Sequence, residues 1–435
     1  MTNWRKRMVC IAAAGGAVLL TGLSAAAADE TVTLNVAIDP AHGTDYINFM
    51  KGRAKAYTAE TGTPVNIIVP SDERTQINVW AAAGTLPDVM DVVSDQGLNY
   101  VREGVFLDLR SLIQKDAAMS LDHFNEQAAA GFTLPGYLPF AHGGMVYAIP
   151  FSLWNFNGAV NTDMLNTAGL ADPMSLGDQW TWASYADYMR KLTRPDANGK
   201  IQQYGAEFNT WIYRFDAWFR DGHGAFFEHD FDPTKVTVDS PENRQTLATL
   251  VDWLKEGIMT PQGSMYGNGK AAFQWSAGPN EALVGNHPFK HAYVTFPRGP
   301  QGDYGTEFTM MGTGIASTSK HVDLAWKWLK WLWGSEKNAA AFSVATIRPP
   351  ALRSLASYYV LNVNNKMPHS EIVIDSTGYP GTGLRPMVRN GNIVSAIETN
   401  IKNAFSLKVS PNVALAQAQQ QAQGLLDASL KDSKG

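Results

Sequence analysis

Between residues 31 and 93, apolar positions recur with two different periods, and each period predicts a different element. Apolar side chains at alternate positions predict a β-strand, because successive strand residues point to opposite faces. Apolar side chains three and four positions apart predict an amphipathic helix. Strands and helices that alternate at this spacing predict an open parallel α/β sheet. The predicted order is strand 31–38, helix 45–61, strand 65–69, helix 74–83 and strand 88–93.

Acidic residues follow the first and third of these strands. Asp39 comes directly after the first strand, and Asp95 comes two residues after the third. Ligands of open α/β sheets bind beyond the carboxyl ends of the strands. We therefore expect both side chains at a ligand-binding edge.

The stretch from Gly143 to Asn157 predicts a passage between two compact units. Residues 145–149 are β-prone, but Pro150 has no N–H to donate to a sheet. We therefore expect the strand to end at Pro150 and β character to resume at Phe151, with Trp154 at the junction. A mature chain of about 400 residues is too long for one core, which also favours two units.

Beyond Pro150 the pattern is mainly helical. Thr181 and Ser240 are typical helix caps, and the Ser240 cap is followed by proline and an acid. We expect the Ala- and Gln-rich tail to be a solvated helix. The other predicted elements are strands 270–275 and 291–296, helix 323–333 and the tail helix from Pro411.

Residues 1–28 have the pattern of a secretory signal peptide. Three basic residues at positions 5–7 precede a short apolar run, and alanines at 26–28 fit a cleavage site. The single cysteine, Cys10, lies at the front of the apolar run, which argues against a lipoprotein. We expect a periplasmic protein whose mature chain has no disulfide.

Charge and tryptophan content narrow the class of ligand. Loss of residues 1–28 leaves 32 Lys and Arg (35 less the three at positions 5–7) against 40 Asp and Glu, a formal charge of −8. This balance argues against nucleic acid and anionic membranes as partners. Twelve of the 13 tryptophans remain, and we expect some of them on a binding surface.

The chain carries no complete catalytic or metal-binding motif. The nearest approach to a nucleophile elbow, residues 274–278, lacks its leading glycine. Metal-ligand residue types cluster at 223–232 without the spacing of a metal site, so we expect a solvated loop and no metal. We predict no cofactor and no enzymatic activity, although forty acids leave a carboxylate pair for glycoside hydrolysis open.

Aromatic residues with polar neighbours are the main candidates for binding. Trp154, Trp211, Tyr213 and Trp275 fall at predicted loops or strand ends. Indole faces suit the apolar faces of sugar rings, while amides, carboxylates and Arg suit hydroxyls. The alternative is that each is core. We expect core positions for Trp253, Trp326 and Trp328 and binding positions for Trp154 and Trp275.

Motifs in chain order resemble those of a known family over nearly the whole mature chain. The segments that carry the resemblance are Gly84–Val89 (G-x-x-P-D-V), Gly104–Leu109, Tyr147–Pro150, Asn161–Leu165, Trp180–Trp182, Gly269–Phe273, Gly312–Ala316 and Arg348–Pro350. In these segments the chain is similar to extracellular solute-binding protein family 1, the maltose-binding-protein-like sugar-binding components of ABC importers. It departs from the family pattern in the His-rich loop 223–230 and the Gly- and Pro-rich stretch 378–386.

The resemblance implies a periplasmic-binding-protein type II fold, with two α/β lobes joined by a three-segment hinge that closes over a ligand. It implies lobe I at 29–149 and 298–346, and lobe II at 150–297 and 347–435. The ligand-binding residues it implies are Asp39, Asp95, Trp154, Asn155, Trp211, Trp275, Thr313, Arg348 and Tyr379.

We therefore predict a non-catalytic, monomeric protein that captures a mono- or oligosaccharide and delivers it to the permease subunits of an ABC importer. Two alternatives stay open. One is a secreted glycoside hydrolase or lyase that uses a carboxylate pair. The other is a binder of a non-sugar solute such as a polyamine or a phosphodiester.

Overall fold

The computed structural model describes residues 32–136, 144–277, 287–363 and 366–432. The predicted signal peptide at residues 1–28, Cys10 and Gly143 lie outside them. Among the described residues, no helix combines the length and the apolar character needed to span a bilayer.

Strands and helices alternate through most of the described chain. The strands are β1 (Leu34–Ala37), β2 (Val65–Ile68), β3 (Val89–Val93), β4 (Ile149–Asn155), β5 (Asn157–Asn161), β6 (Arg194–Pro195), β7 (Ile201–Glu207), β8 (Met259–Thr260), β9 (Ala271–Ala277), β10 (His291–Val294), β11 (Glu307–Ile315) and β12 (Gly383–Leu384). The α-helices are α1 (Thr44–Thr61), α2 (Glu73–Ala83), α3 (Ser94–Arg102), α4 (Arg110–Lys115), α5 (Glu126–Gly131), α6 (Thr162–Ala168), α7 (Trp182–Leu192), α8 (Ile212–Asp221), α9 (Pro241–Glu256), α10 (Val322–Trp333), α11 (Glu336–Thr346), α12 (Ala356–Val363), α13 (Ile372–Asp375), α14 (Gly391–Phe405) and α15 (Pro411–Asp432). Short 3-10 helices cover Pro40–His42, Ala117–Met119, Leu121–His123, Pro173–Gln179, Arg353–Leu355 and Ser376–Gly378.

Both predicted helix caps are confirmed. The Thr181 side chain accepts from the Ser184 amide and Ser184 returns the bond, which makes a capping box at the start of α7. The Ser240 side chain accepts from the Asn243 amide, and Pro241 is the first residue of α9.

The first sheet has the strand order β12-β11-β3-β1-β2, with β4 on the other edge of β11. Strand β1 runs parallel to both β2 and β3, which confirms the predicted parallel α/β unit. Strand β11 is buried along its whole length and runs antiparallel to β3 and β4. The apolar stripe of α1, which includes Tyr46, Met50 and Tyr57, is buried in the core of this sheet.

The prediction that a strand ends at Pro150 is wrong. Strand β4 contains Pro150 and pairs with β11 from Ile149 to Asn155. Proline is tolerated in edge strands and at bulges, and β4 has both features. Its other edge carries an isolated bridge from Ser152 to Pro350, and its register against β11 shifts beside Pro150. The chain passes to the second sheet at Phe156, between β4 and β5.

The second sheet has the strand order β10-β5-β9-β7-β6, with β8 on β7. Its core is rich in aromatic side chains from α7, α8, α9 and β9. Trp275 is 2% exposed and its ring centroid lies 5.1 Å from that of Trp218, so the expectation that Trp275 is at a surface is wrong. Core positions are confirmed for Trp253, Trp326 and Trp328, which are 6%, 8% and 0% exposed.

The tail is helical, as expected, but the expectation that it is solvated is wrong for one face. Helix α15 packs on α9 and α14. Its inward positions, including Ala418, Ala422 and Leu426, are fully buried in the core of the second sheet. A stripe of Ala and Leu three and four residues apart is therefore an apolar face, in spite of the many glutamines between.

We expect Leu415→Ala to lower the free energy of unfolding by about 2–5 kcal/mol, because Leu415 is fully buried and its removal leaves a cavity. Urea unfolding followed by circular dichroism would measure the change. Val413→Ala on the same helix is the matched control, since Val413 is 45% exposed, and it should change stability by no more than about 0.5 kcal/mol. Equal, small effects of both variants would contradict the docking of α15.

Candidate ligand-binding cleft

A cavity of about 170 Å³ lies where the carboxyl ends of β1 and β3 face the start of α8. The first sheet contributes residues that follow β1, the end of β3, and side chains of β4 and β11. The second lobe contributes Trp211 and Arg214. The lining residues are Asp39, Ala41, His42, Arg74, Val93, Trp154, Phe156, Trp211, Arg214, Thr309, Met311, Arg348 and Arg385.

A second cavity of about 330 Å³ adjoins the first, and Arg74 lines both. Its walls come from α2 and α3 on one side and from Tyr213 and residues 386–391 on the other. Asp95 and Gln96, which follow β3, lie in this second cavity. Both predicted strand-end aspartates therefore face the cleft, one in each cavity.

Arg348 packs against Trp154 in the wall of the first cavity. The Arg348 guanidinium carbon lies 4.9 Å from the Trp154 ring centroid, and its Nη2 donates to the His42 carbonyl oxygen at 2.7 Å. Burial, together with the positive charges of Arg348 and Arg74, lowers the pKa of His42 to about 3. The His42 ring is therefore neutral at physiological pH.

Arg385 connects the two lobes at the cleft. Its Nε donates to Glu307 Oε1 on β11 at 2.6 Å, and its Nη1 lies 3.7 Å from Asp95 Oδ2 on α3. Its guanidinium carbon lies 4.0 Å from the Tyr213 ring centroid of α8 and 5.8 Å from that of Trp211. Burial raises the pKa of Glu307 to about 7, while Arg385 opposes that shift.

The start of α8 presents aromatic and basic side chains to the cleft. Trp211 is 42% exposed and its ring meets that of Tyr213 edge to face, with centroids 4.9 Å apart. The Arg214 guanidinium carbon lies 4.1 Å above the Phe156 ring centroid. An exposed indole beside a guanidinium offers both a flat apolar face and hydrogen-bond donors to a ligand.

Buried acids lie beneath the cleft. Asp91 Oδ2 accepts from the Tyr46 hydroxyl at 2.8 Å and from the Asp39 amide at 3.3 Å. Burial raises the pKa of Asp91 to about 8. Burial and the nearby Asp91 and Asp39 carboxyls also raise the pKa of Glu73. Asp91 is thus mostly protonated at neutral pH and positions the backbone of Asp39.

Four of the predicted ligand-binding residues do not line either cavity. Asn155 is fully buried, and its Nδ2 donates to the Val373 carbonyl at 2.7 Å and to Ser376 Oγ at 2.6 Å. Thr313 is also fully buried, between Asp91 and the Trp333 indole. Trp275 lies in the second core, and the Tyr379 ring packs on Tyr304 with centroids 4.7 Å apart.

Sequence reasoning missed several residues that line the first cavity, among them Arg74, Phe156 and Arg385. Arg74 is at the start of α2, Phe156 joins the two sheets, and Arg385 follows β12. The signal for Arg385 was its position within 378–386, the stretch that departs from the family pattern. Arg74 and Phe156 carry no local signal, because their importance comes from elements distant in the chain.

The His-rich segment shows no metal geometry. His223 Nδ1 lies 2.5 Å from Asp303 Oδ2, so this side chain pairs with a residue outside its own loop. Within the described ranges, no group of three or more His, Cys, Asp or Glu side chains is arranged to hold a metal ion.

Comparisons with known proteins identify the class. The family model described as bacterial extracellular solute-binding protein matches residues 41–339, and the chain therefore belongs to this family. A comparison with curated protein sequences gave no match.

Solved structures confirm the two-lobed type II fold. An ABC substrate-binding protein from Listeria monocytogenes in complex with cycloalternan is 21% identical, with 91% of this chain and 99% of that chain covered and a TM-score of 0.74. The cyclic alpha-maltosyl-1,6-maltose binding protein from Arthrobacter globiformis is 19% identical, with 91% and 99% covered and a TM-score of 0.73. The maltose-bound MalE3 of T. maritima is 17% identical, with 90% and 99% covered and a TM-score of 0.71.

We expect Asp91→Asn to flatten the pH dependence of stability. Asp91 keeps its proton in the folded state up to about pH 8, whereas an unfolded aspartate loses it near pH 4. The unfolded state therefore binds fewer protons between about pH 4 and 8, and the free energy of unfolding falls as pH rises through that window. The variant should remove up to about 1.4 kcal/mol per pH unit of that slope.

Urea unfolding at pH 5, 6, 7 and 8 would measure this slope. Asp252→Asn is the control, because the Asp252 side chain is 71% exposed, and its slope should match that of the parent protein. An unchanged slope for Asp91→Asn would mean that Asp91 is ionised in the folded protein.

Proposed function

We propose that this protein captures a carbohydrate in the cleft between its lobes and delivers it to the permease subunits of an ABC importer. The observation that carries the proposal is that Trp154 and Trp211 line one cavity with Asp39. Two indoles can cover the apolar faces of sugar rings, and a carboxylate can accept from hydroxyls.

The structural relatives support a sugar rather than another solute. Their names refer to cycloalternan, to cyclic alpha-maltosyl-1,6-maltose and to maltose. All three are of similar length to this chain, since 99% of each is covered.

The proposed binding residues are Asp39, Asp95, Trp154, Trp211 and Arg348. Asn155 and Thr313 position neighbouring backbone and side chains from beneath the cleft. We place the first crossing between lobes at Phe156, after β4, and assign β12 to the first lobe because it pairs with β11.

The N-terminal pattern and the family support the setting that we propose for this function. Residues 1–28 act as a cleaved signal peptide, and the mature protein works in the periplasm as a monomer without a lipid anchor. It binds and releases its ligand by hinge motion of the lobes and performs no catalysis.

Ligand screening tests the proposal directly. At a hundredfold its dissociation constant, a ligand should raise the free energy of unfolding by about 2.7 kcal/mol. Thermal shift and tryptophan emission would be recorded with mono- and oligosaccharides, both neutral and acidic. Failure of the whole panel would contradict sugar binding, and turnover of any sugar to a new product would favour a hydrolase or lyase.

Two tryptophan variants separate binding from folding. Trp211→Ala should weaken binding of a sugar from that panel about tenfold or more at unchanged stability, because Trp211 is an exposed lining residue. Trp275→Ala should instead lower the free energy of unfolding by about 3–5 kcal/mol, because it leaves a cavity in the aromatic core. Calorimetry and urea unfolding measure the two effects. Unchanged affinity in Trp211→Ala would remove this residue from the site.

A further inference from the structure

The charges around the cleft specify the ligand beyond the sugar class. We propose that the cleft binds an acidic saccharide, one whose sugar carries a carboxylate or a phosphate ester, and that Arg74, Arg214 and Arg348 hold this anionic group. This inference rests on the proposed sugar-binding function and narrows its substrate class.

Positive charge is concentrated at the first cavity of a protein that is acidic as a whole. Four arginines line the cavity, together with Asp39 as the only acid among its described lining residues. The chain has a formal net charge of −5. A cleft lined by one sign of charge raises the local concentration of ligands with the opposite sign.

Arg385, one of the four arginines, already pairs with acidic side chains of the protein. Arg385 contacts the carboxylates of Glu307 and Asp95. Arg74, Arg214 and Arg348 line the same cavity, and we assign the anionic group of the ligand to these three side chains.

Contacts with neutral groups help to orient these three arginines at the cavity. With the Gln96 amide turned so that its oxygen faces Arg74, that oxygen accepts from Nε and Nη2 at 2.7 and 2.6 Å, which is a neutral partner. Arg214 lies over the Phe156 ring, and Arg348 bonds the His42 carbonyl and lies over Trp154. Rings and carbonyls fix the planes of these guanidinium groups, whose forked donors match carboxylate and phosphate geometry.

Two further features show positive potential at the same place. The charges of Arg348 and Arg74 contribute, after burial, to the low pKa of His42. In addition, Arg214 lies in the first turn of α8, which contains no acid. A helix N-terminus favours negative charge, so the start of α8 adds to the attraction for an anionic group.

The remaining lining residues fit the sugar to which the anion is attached. Trp154 and Trp211 supply ring faces, and Asp39 accepts from hydroxyls. A cationic solute such as a polyamine would meet the three arginines as like charges, so the cleft disfavours it.

Calorimetry with matched acidic and neutral sugars tests the inference on the mature protein. The probes are galacturonic and glucuronic acid with their dimers and trimers, galactose, glucose and maltotriose, glucose 6-phosphate, and inorganic phosphate. We expect an acidic sugar to bind at least about tenfold more tightly than its neutral counterpart. Raising NaCl from 20 to 500 mM should weaken that binding severalfold, because salt screens charge interactions.

Variants assign the effect to the arginines. Arg74→Gln and Arg214→Gln should each weaken binding of the acidic sugar at least about tenfold, while Arg244→Gln, on the exposed face of α9, should not. Arg74 is exposed, so Arg74→Gln remains informative if Arg214→Gln unfolds.

The outcomes separate this inference from the proposed function. Tight binding of glucose 6-phosphate without binding of uronates would assign the oxyanion as phosphate and support the inference. If inorganic phosphate binds as tightly as glucose 6-phosphate, the sugar part of the inference would be overturned. Salt-insensitive binding of neutral sugars, unchanged in both variants, would overturn the inference and leave the proposed function standing. Failure of every probe would count against both.

Discussion

The buried ion pair between Arg385 and Glu307 is the interaction on which the geometry of the cleft depends. Glu307 is fully buried at the start of β11, and Arg385 is 6% exposed. A buried charge must be paired, and loss of one partner of such a pair typically costs about 3–5 kcal/mol. Because Arg385 also contacts Asp95 and stacks on Tyr213, the pair joins β11, α3 and α8 at one point.

The proposed binding residues are supplied by segments far apart in the chain. Asp39 follows β1, Trp154 lies near the end of β4, Trp211 precedes α8, and Arg348 follows α11. The parallel arrangement of β1 and β3 places their carboxyl ends at one edge of the sheet, and the second lobe closes that edge with α8. Packing of rigid elements therefore creates the cavity. The place of each lining side chain is set by the element that carries it.

The proposed site combines two kinds of recognition that are often separate. Indole faces bind sugar rings through apolar contact, which depends little on salt. Arginines recognise anions through charge and a forked geometry, which salt weakens when the groups are accessible. The protonated Asp91 below Asp39 lets the protein keep an acceptor beneath the cleft without a further negative charge at neutral pH.

Local pattern alone determined the β1-α1-β2-α2-β3 unit, the caps of α7 and α9 and the strand-end aspartates, because periodicity and capping depend on neighbouring residues. The family motifs added the two-lobed fold. Tertiary structure decided which tryptophans are exposed: Trp211 and Trp275 both have polar neighbours in the chain, but only Trp275 is enclosed by α7 and α8. It also decided that Pro150 lies within an edge strand and that Arg74 and Arg385 share one cavity, because edges and cavities depend on which distant segments pack together.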